Sequence, residues 1–308
     1  MHLKSYEWNR RETHYSLSLA KRKDVPMSLG LNYKNQEQIF YEIERETPYL
    51  EFRLLRESGV VHHAFSTRLG GVSRGCYESL NLSFTRGDDE TAVRENFRRI
   101  GAAIGVDSED MVFSQQTHTT NVRVVTETDR GAGIARPREF TDVDGLVTNV
   151  PGICLVTFFA DCVPLYFVDP VKRVIGLAHS GWRGTVGKIG KVTVERMQGS
   201  FGCRPEDILA AVGPSVCQDC YEVSEDVIEQ FCERFEPAAQ AQLFYRKENG
   251  KYQLNLWKAN ELVFLEAGIL PEHMAVTNLC THCNSKILYS HRAMGNERGN
   301  LAAFLALK

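Results

Sequence analysis

The sequence predicts an α+β fold built on mixed sheets. Strand signals outnumber helical ones, neighbouring apolar runs lie close enough for hairpins, and the strict βα alternation of a doubly wound parallel sheet is missing. The 308-residue chain is 43% hydrophobic and 24% charged, close to a globular average, and long enough to bury a large core. Its 36 basic and 39 acidic side chains give a net charge of −3, without the basic excess that nucleic-acid binding leaves in a sequence. The longest apolar stretches, from Ile153 and from Leu301, fall far short of the ~20 residues that span a bilayer. Neither nucleic acid nor membrane is an expected partner. Nine cysteines, an odd count at low density, argue for free thiols or metal ligands in a reducing, cytoplasmic setting.

Residues 1–45 read as an N-terminal extension ahead of one domain at 46–308. Basic clusters at Arg10, Arg11 and Lys21 to Lys23 come with little periodicity, which fits a disordered tail or translation that begins at Met27. Around Val61 the pattern changes to short apolar runs ending in polar clusters. Further strand-like runs start at Met111, Val122, Ile153, Val163, Val174, Asp207, Tyr252, Met274 and Leu301. A helix is predicted after Asp88, where Val93, Phe97, Ile100 and Ile104 share one face. Three more are predicted over Thr185–Gln198, Ser224–Phe235 and Trp257–Ala267, the last closed by Gly268. The segment Asp129 to Asp142 reads as a loop excursion within the domain.

The chemistry concentrates around two apolar runs that meet at Asp169-Pro170-Val171-Lys172. A tight reversal centred between Pro170 and Val171 would set Cys162 directly opposite His179, with their Cβ atoms ~5 Å apart. A one-residue slip would send them to opposite faces. Such a pair suits a Cys–His nucleophile or two ligands of one metal. Among the nine histidines, His118 in FSQQTHTTNV is the best-placed third ligand. One thiolate and two imidazoles on Zn²⁺ leave a fourth position for water, which such an ion acidifies toward neutrality, the pattern of a catalytic site. Spacings of 44 and 17 residues, taken alone, favour a buried cysteine with hydrogen-bonded histidines over a metal site.

The runs STRLGGVS from Ser66, SLNL from Ser79, DGLVTN from Asp144, ADCVPLYF from Ala160, AHSGWRGT from Ala178, GPSVCQDCYEV from Gly213 and CTHCNSKILYSHR from Cys280 resemble the YfiH-like, laccase-domain family. That family is also named polyphenol oxidase and purine nucleoside phosphorylase. The resemblance covers Val61 to Lys308 and implies a single α/β sandwich domain with mixed sheets, with zinc held by His118, Cys162 and His179. It also implies small-molecule partners, purine nucleosides and phosphate. The implied reactions are phosphorolysis of adenosine, inosine, guanosine and methylthioadenosine, and deamination of adenosine. Some bacterial members are linked instead to editing of peptidoglycan precursors.

Arg68 and Arg183 lie in the glycine-rich turns RLGG and GWRG, where a guanidinium can grip an anion, and they are the candidates for phosphate, with surface ion pairs as the alternative. Asn81, Gln116, Asp144 and Asp161 are candidates for substrate contacts or for orienting the ligands, with turn or strand-end roles as the alternative. His291 and Arg292 are weaker anion candidates, because Ala293 departs from the second arginine that often follows in relatives. No glutamate accompanies a ligand as in the H-x-E deaminase signature, so no general acid or base is identified. A copper-dependent laccase would need His-x-His pairs, of which there are none, and copper is the lesser cofactor alternative. A metal-free hydrolase using Cys162 and His179 is a further alternative. Cys217-x₂-Cys220 and Cys280-x₂-Cys283, separated by 59 residues, could form a structural zinc knuckle, but the separation exceeds that of zinc ribbons and favours ordinary thiols.

Overall fold

The computed structural model describes residues 29–308, so the expectation about Met27 lies outside the described residues. Two six-stranded sheets pack face to face. The first runs in the order β1 (Phe40–Ile43), β2 (Tyr49–Phe52), β3 (Val61–Ser66), β15 (Leu301–Leu307), β7 (Cys154–Phe159), β4 (Met111–Phe113). The second runs β14 (Met274–Val276), β10 (Leu209–Val212), β8 (Val163–Asp169), β9 (Val174–Ser180), β6 (Gly145–Thr148), β5 (Val122–Val124). A small third sheet joins β11 (Glu222–Val223), β13 (Tyr252–Leu254) and β12 (Phe244–Arg246). The pairs β4/β7, β5/β6 and β10/β14 are parallel and the others antiparallel, so the sheets are mixed as the sequence predicts. All ten strand-like runs form strands.

Strand periodicity explains the layers. In β8, Tyr166 and Val168 face the core between the sheets, whereas Val163, Leu165 and Phe167 face outward to a helical layer. In β15, Leu301, Ala303 and Leu305 point inward while Ala302, Phe304 and Ala306 point to the opposite helical side. Both faces are covered, so these strands read as continuous apolar runs. The short α1 (Arg53–Glu57) lies beside β3, and α2 (Glu90–Ile104) covers the first sheet with Val93, Phe97, Ile100 and Ile104. Asp89 caps α2 by accepting from the Ala92 N–H at 2.8 Å, and Gly105 ends it in the left-handed region at φ 78°. The second sheet is covered by α4 (Ile189–Phe201) and α7 (Leu256–Glu266). Between them in sequence come α5 (Glu225–Arg234) and α6 (Pro237–Leu243), while α3 (Trp182–Val186) precedes α4 and α8 (His291–Met294) precedes β15. No helix among the described residues is long and apolar enough to cross a membrane.

Three expectations need correction. The helix predicted over Thr185–Gln198 is two helices, because Lys188 takes φ 57° and breaks the ladder between α3 and α4. Gly187 permits that bend, since a Cβ there would meet Thr120 Cγ2 at 2.5 Å. The β8/β9 hairpin pairs Pro164, not Cys162, with His179. Its connection is the four residues 170–173, in which Asp169 accepts from the Val171 and Lys172 N–H groups and Arg173 adopts φ 53°. The slip is two residues, which preserves the face. Finally, the boundary at residue 45 falls inside the β1/β2 hairpin, and Asn32 donates to Asn284 Oδ1 at 2.7 Å, so the packed domain begins upstream of it.

His63 is buried between the sheets and accepts the Phe52 N–H on Nε2 at 2.8 Å. Burial lowers its pKa to about 3, so the unfolded chain binds a proton below pH ~6.5 that the folded chain refuses. Stability therefore falls as pH drops from 7 to 5, by about 2 kcal/mol from this group at ~1.4 kcal/mol per pH unit. In His63→Gln, which keeps an acceptor, denaturant melts at the two pH values should show a drop smaller by about that amount; equal drops would contradict the assignment.

Candidate metal centre

The chain crosses between the two sheets twice near one edge of the sandwich, and each crossing carries a ligand. His118 lies between β4 and β5, and Cys162 between β7 and β8. His179 is on β9. The ligand atoms of the three lie within 4.8 Å of one another, and the two imidazoles meet edge to face at 4.9 Å. His118 is exposed, Cys162 half-buried and His179 buried. Gly181 makes room for the gathering: a Cβ there would lie 3.0 Å from His118 Cδ2 and 3.2 Å from Cys162 Sγ.

One carboxylate arranges two of the ligands. Asp144, fully buried, accepts the backbone N–H groups of Thr117, His118 and Thr119 at 2.9, 3.1 and 3.0 Å. These contacts hold His118 at φ 64°, in the left-handed region. Asp144 Oδ1 also lies 2.8 Å from His179 Nδ1. Burial pushes the Asp144 carboxyl up, but His179 and these N–H groups hold it down at about 2. The ionised carboxylate accepts a hydrogen bond from the Nδ1–H of His179, so Nε2 is the nitrogen turned toward the other two side chains. Burial likewise pushes the Cys162 thiol up, and the two imidazoles facing it outweigh that and bring it to about 6. Burial lowers His179, whereas Cys162 and Asp144 raise it to about 9. A thiolate between two imidazoles, one backed by a carboxylate, fits a borderline-soft divalent ion with one position open to the cleft.

That cleft has a volume of about 640 Å³. Phe113 and Phe158 form an aromatic wall with centroids 5.1 Å apart, and Phe84 stands 6.4 Å from Phe113. Gln116 lines it but is committed: its Oε1 accepts from the Phe158 N–H and its Nε2 donates to the Phe158 carbonyl, both at 2.7 Å. Asp161, at φ 84°, accepts from Thr281 Oγ1 and the Arg292 N–H, both at 2.6 Å. Asn81 is buried and ties Asp88 to the Asn300 N–H. The two arginines predicted to bind an anion lie off the cleft lining. Arg68 donates to the carbonyls of Glu78 and Ser285 and stacks on Tyr289 at 4.6 Å, and exposed Arg183 stacks on Trp182 at 4.2 Å. His291 lies exposed with Nδ1 3.0 Å from the Gly295 carbonyl oxygen, and Arg292 donates to the Glu222 carbonyl.

The cleft arginines are ones the sequence reading passes over. Arg86, Arg94, Arg138 and Arg298 line it, and Arg94 is paired with Glu90. Arg138 donates to the Ser114 carbonyl at 2.7 Å. Arg298 is nearly buried, and burial with the Arg86 guanidinium nearby lowers it to about 10. The Nε atoms of Arg86 and Arg298 are buried without a partner. The only local signal was an arginine just before the apolar run of β15. Away from the cleft, Cys217, Cys220, Cys280 and Cys283, which the sequence reads as two separate pairs, gather in one cluster.

Asp144→Asn should keep the secondary structure but lower metal affinity about 10–100-fold, because His179 loses the acceptor that fixes its tautomer. Competition with a chromogenic chelator measures this, and unchanged affinity would show that the carboxylate does not orient the ligand.

A family model described as multi-copper polyphenol oxidoreductase laccase matches residues 62–308. The chain is 36% identical over 248 residues to purine nucleoside phosphorylase YlmD of Bacillus subtilis (strain 168), covering 79% of this chain and 87% of that protein. It is 40% identical over 247 residues to a purine nucleoside phosphorylase of Deinococcus radiodurans, covering 80% and 89%. A protein named adenosine deaminase RL5, from an unknown prokaryotic organism, is 35% identical over 238 residues, covering 77% and 90%. Among solved structures, the Bacillus licheniformis hypothetical protein YfiH superposes with TM-score 0.82 at 32% identity, over 88% of this chain and 100% of that one. YlmD from Geobacillus stearothermophilus superposes with TM-score 0.81 at 34% identity, over 88% and 99%. The chain belongs to the YfiH-like, laccase-domain family.

Proposed function

We propose that the cleft is the active site of a zinc-dependent purine nucleoside enzyme, which carries out phosphorolysis of adenosine, inosine, guanosine and methylthioadenosine and deamination of adenosine. The reading rests on one juxtaposition: a His118–Cys162–His179 donor set beside two arginines with unpartnered buried Nε atoms and an aromatic wall. Relatives named for these activities support it. A volume near 640 Å³ is of small-ligand scale. Among the described residues only one cluster of three or more such ligands contains histidine, which favours a single-ion centre over multi-copper chemistry.

When bound, zinc supplies Lewis acidity at the cleft floor. His118, Cys162 and His179 would hold it, with Asp144 keeping His179 in the tautomer that presents Nε2. Phe84 and Phe158, partly exposed at the cleft and backed by buried Phe113, offer faces on which a purine can stack. Arg86 and Arg298 offer charged N–H donors to phosphate, and the cost of burying Arg298 is offset when the anion arrives. In phosphorolysis a phosphate oxygen bonds to C1′ of the ribose while the bond from C1′ to the base nitrogen breaks. The base leaves with that electron pair and takes up a proton. Guanidinium groups that fix the phosphate lower the entropy cost of this encounter.

Two variants test the reading. Cys162→Ala should abolish purine release from adenosine while far-UV dichroism stays intact; undiminished phosphorolysis, followed by mass spectrometry of the products, would contradict it. Arg298→Gln should raise KM for phosphate about tenfold or more, equivalent to about 1.4 kcal/mol, and leave phosphate-independent deamination near its original rate. Equal losses in both reactions would remove Arg298 from the anion role.

A further inference from the structure

We infer that Cys217, Cys220, Cys280 and Cys283 form a second metal site, a closed tetrathiolate centre for Zn²⁺ distinct from the cleft. The four sulfurs lie within 4.8 Å of one another, with Cys220 Sγ and Cys283 Sγ 3.6 Å apart. A disulfide would need ~2.05 Å. Four thiolates around zinc at ~2.3 Å stand about 3.8 Å apart along each tetrahedral edge, close to the separation found. All four ligand positions are filled by protein, which is the pattern of a structural rather than a catalytic ion.

The topology explains how pairs so far apart in sequence meet. Cys217 and Cys220 follow β10, and Cys280 and Cys283 follow β14, its parallel neighbour. Parallel strands deliver their C-terminal loops to the same edge. The pairing continues past the strands, as Ser215 bridges to Cys280 and the Thr281 N–H donates to the Ser215 carbonyl at 3.1 Å. The Cys220 N–H donates to the Cys217 carbonyl at 3.1 Å, turning the chain back between the first two thiols, and the Cys217 N–H donates to Cys280 Sγ at 3.3 Å. Such donors stabilise thiolates. A tetrathiolate zinc centre carries a net charge of about −2. Lys34, bound to Asp219 at 3.0 Å between the first two cysteines, supplies a cation within reach of Cys217 and Cys283.

The two loops joined here also hold Asp161, next to Cys162. The Val216 N–H donates to the Asp161 carbonyl at 3.1 Å, and Thr281 Oγ1 and the Arg292 N–H grip its carboxylate. The tetrathiolate would thus join the two loops whose Val216 and Thr281 hold Asp161, the residue before Cys162.

Metal analysis of the reduced, full-length protein tests this independently of any nucleoside activity. Wild type should hold two zinc ions per chain, and folded His118→Ala should retain one. Cobalt loaded into His118→Ala should give the strong sulfur-to-metal charge-transfer bands of a tetrathiolate, and these should vanish in His118→Ala with Cys220→Ser and Cys283→Ser added. Because the spectrum is read in a variant with all four cysteines present, misfolding of the serine variant leaves the test intact. His118→Ala that is folded but takes up neither zinc nor cobalt would overturn the proposal. Alkylation mapping that finds the four cysteines paired as disulfides in the purified wild-type protein would overturn it too.

Discussion

Asp144 accepts three backbone N–H groups from one inter-sheet crossing and the Nδ1 proton of a histidine on β9, all within 3.1 Å. A buried carboxylate is tolerated only when it is saturated with donors, and these donors are the ones that shape the site. The loop carrying His118 belongs to the path from the first sheet to the second, and His179 belongs to the second. Gln116 fastens the same loop to Phe158, at the end of β7, just before the crossing that carries Cys162. His118, Cys162 and His179 therefore gather where two crossings are pinned together by Asp144 and Gln116.

This arrangement stores local strain. His118 and Asp161 hold left-handed conformations at φ 64° and 84°, which cost non-glycine residues ~1–2 kcal/mol each. Each is held by hydrogen bonds at its own backbone or side chain: His118 through Asp144, Asp161 through Thr281 and Arg292. Arg298 adds a nearly buried cation with an unsatisfied Nε. His118 belongs to the donor set and Asp161 flanks it, whereas Asp142, Arg173 and Lys188 take positive φ in other connections, and along β8, β9 and β15 alternation and burial agree.

The strands were legible because both sheet faces are covered, which makes each a dense apolar run. The ligand trio was legible for a less secure reason. The hairpin register is two residues from the one expected, and Cys162 lies just before β8, reaching His179 from the bend at Asp161 rather than as its cross-strand partner. What stayed hidden depends on contacts distant in sequence. The break at Lys188 follows from Thr120 packing on Gly187, and the cysteine cluster follows from the parallel pairing of β10 with β14, which no local spacing rule contains. Arg86 and Arg298 carry no motif; their relevance comes from burial beside the donor set.

His118, Cys162 and His179 are proposed to bind one ion together, with His179 turned by Asp144. Anomalous diffraction from crystals of the zinc-loaded protein, recorded on either side of the zinc edge, addresses this most directly. The account predicts a peak ~2.0–2.3 Å from Cys162 Sγ and from Nε2 of His179, with His118 as the third protein ligand. A fully loaded crystal with no peak there, or one in which His179 coordinates through Nδ1 and Asp144 has lost its partner, would contradict it.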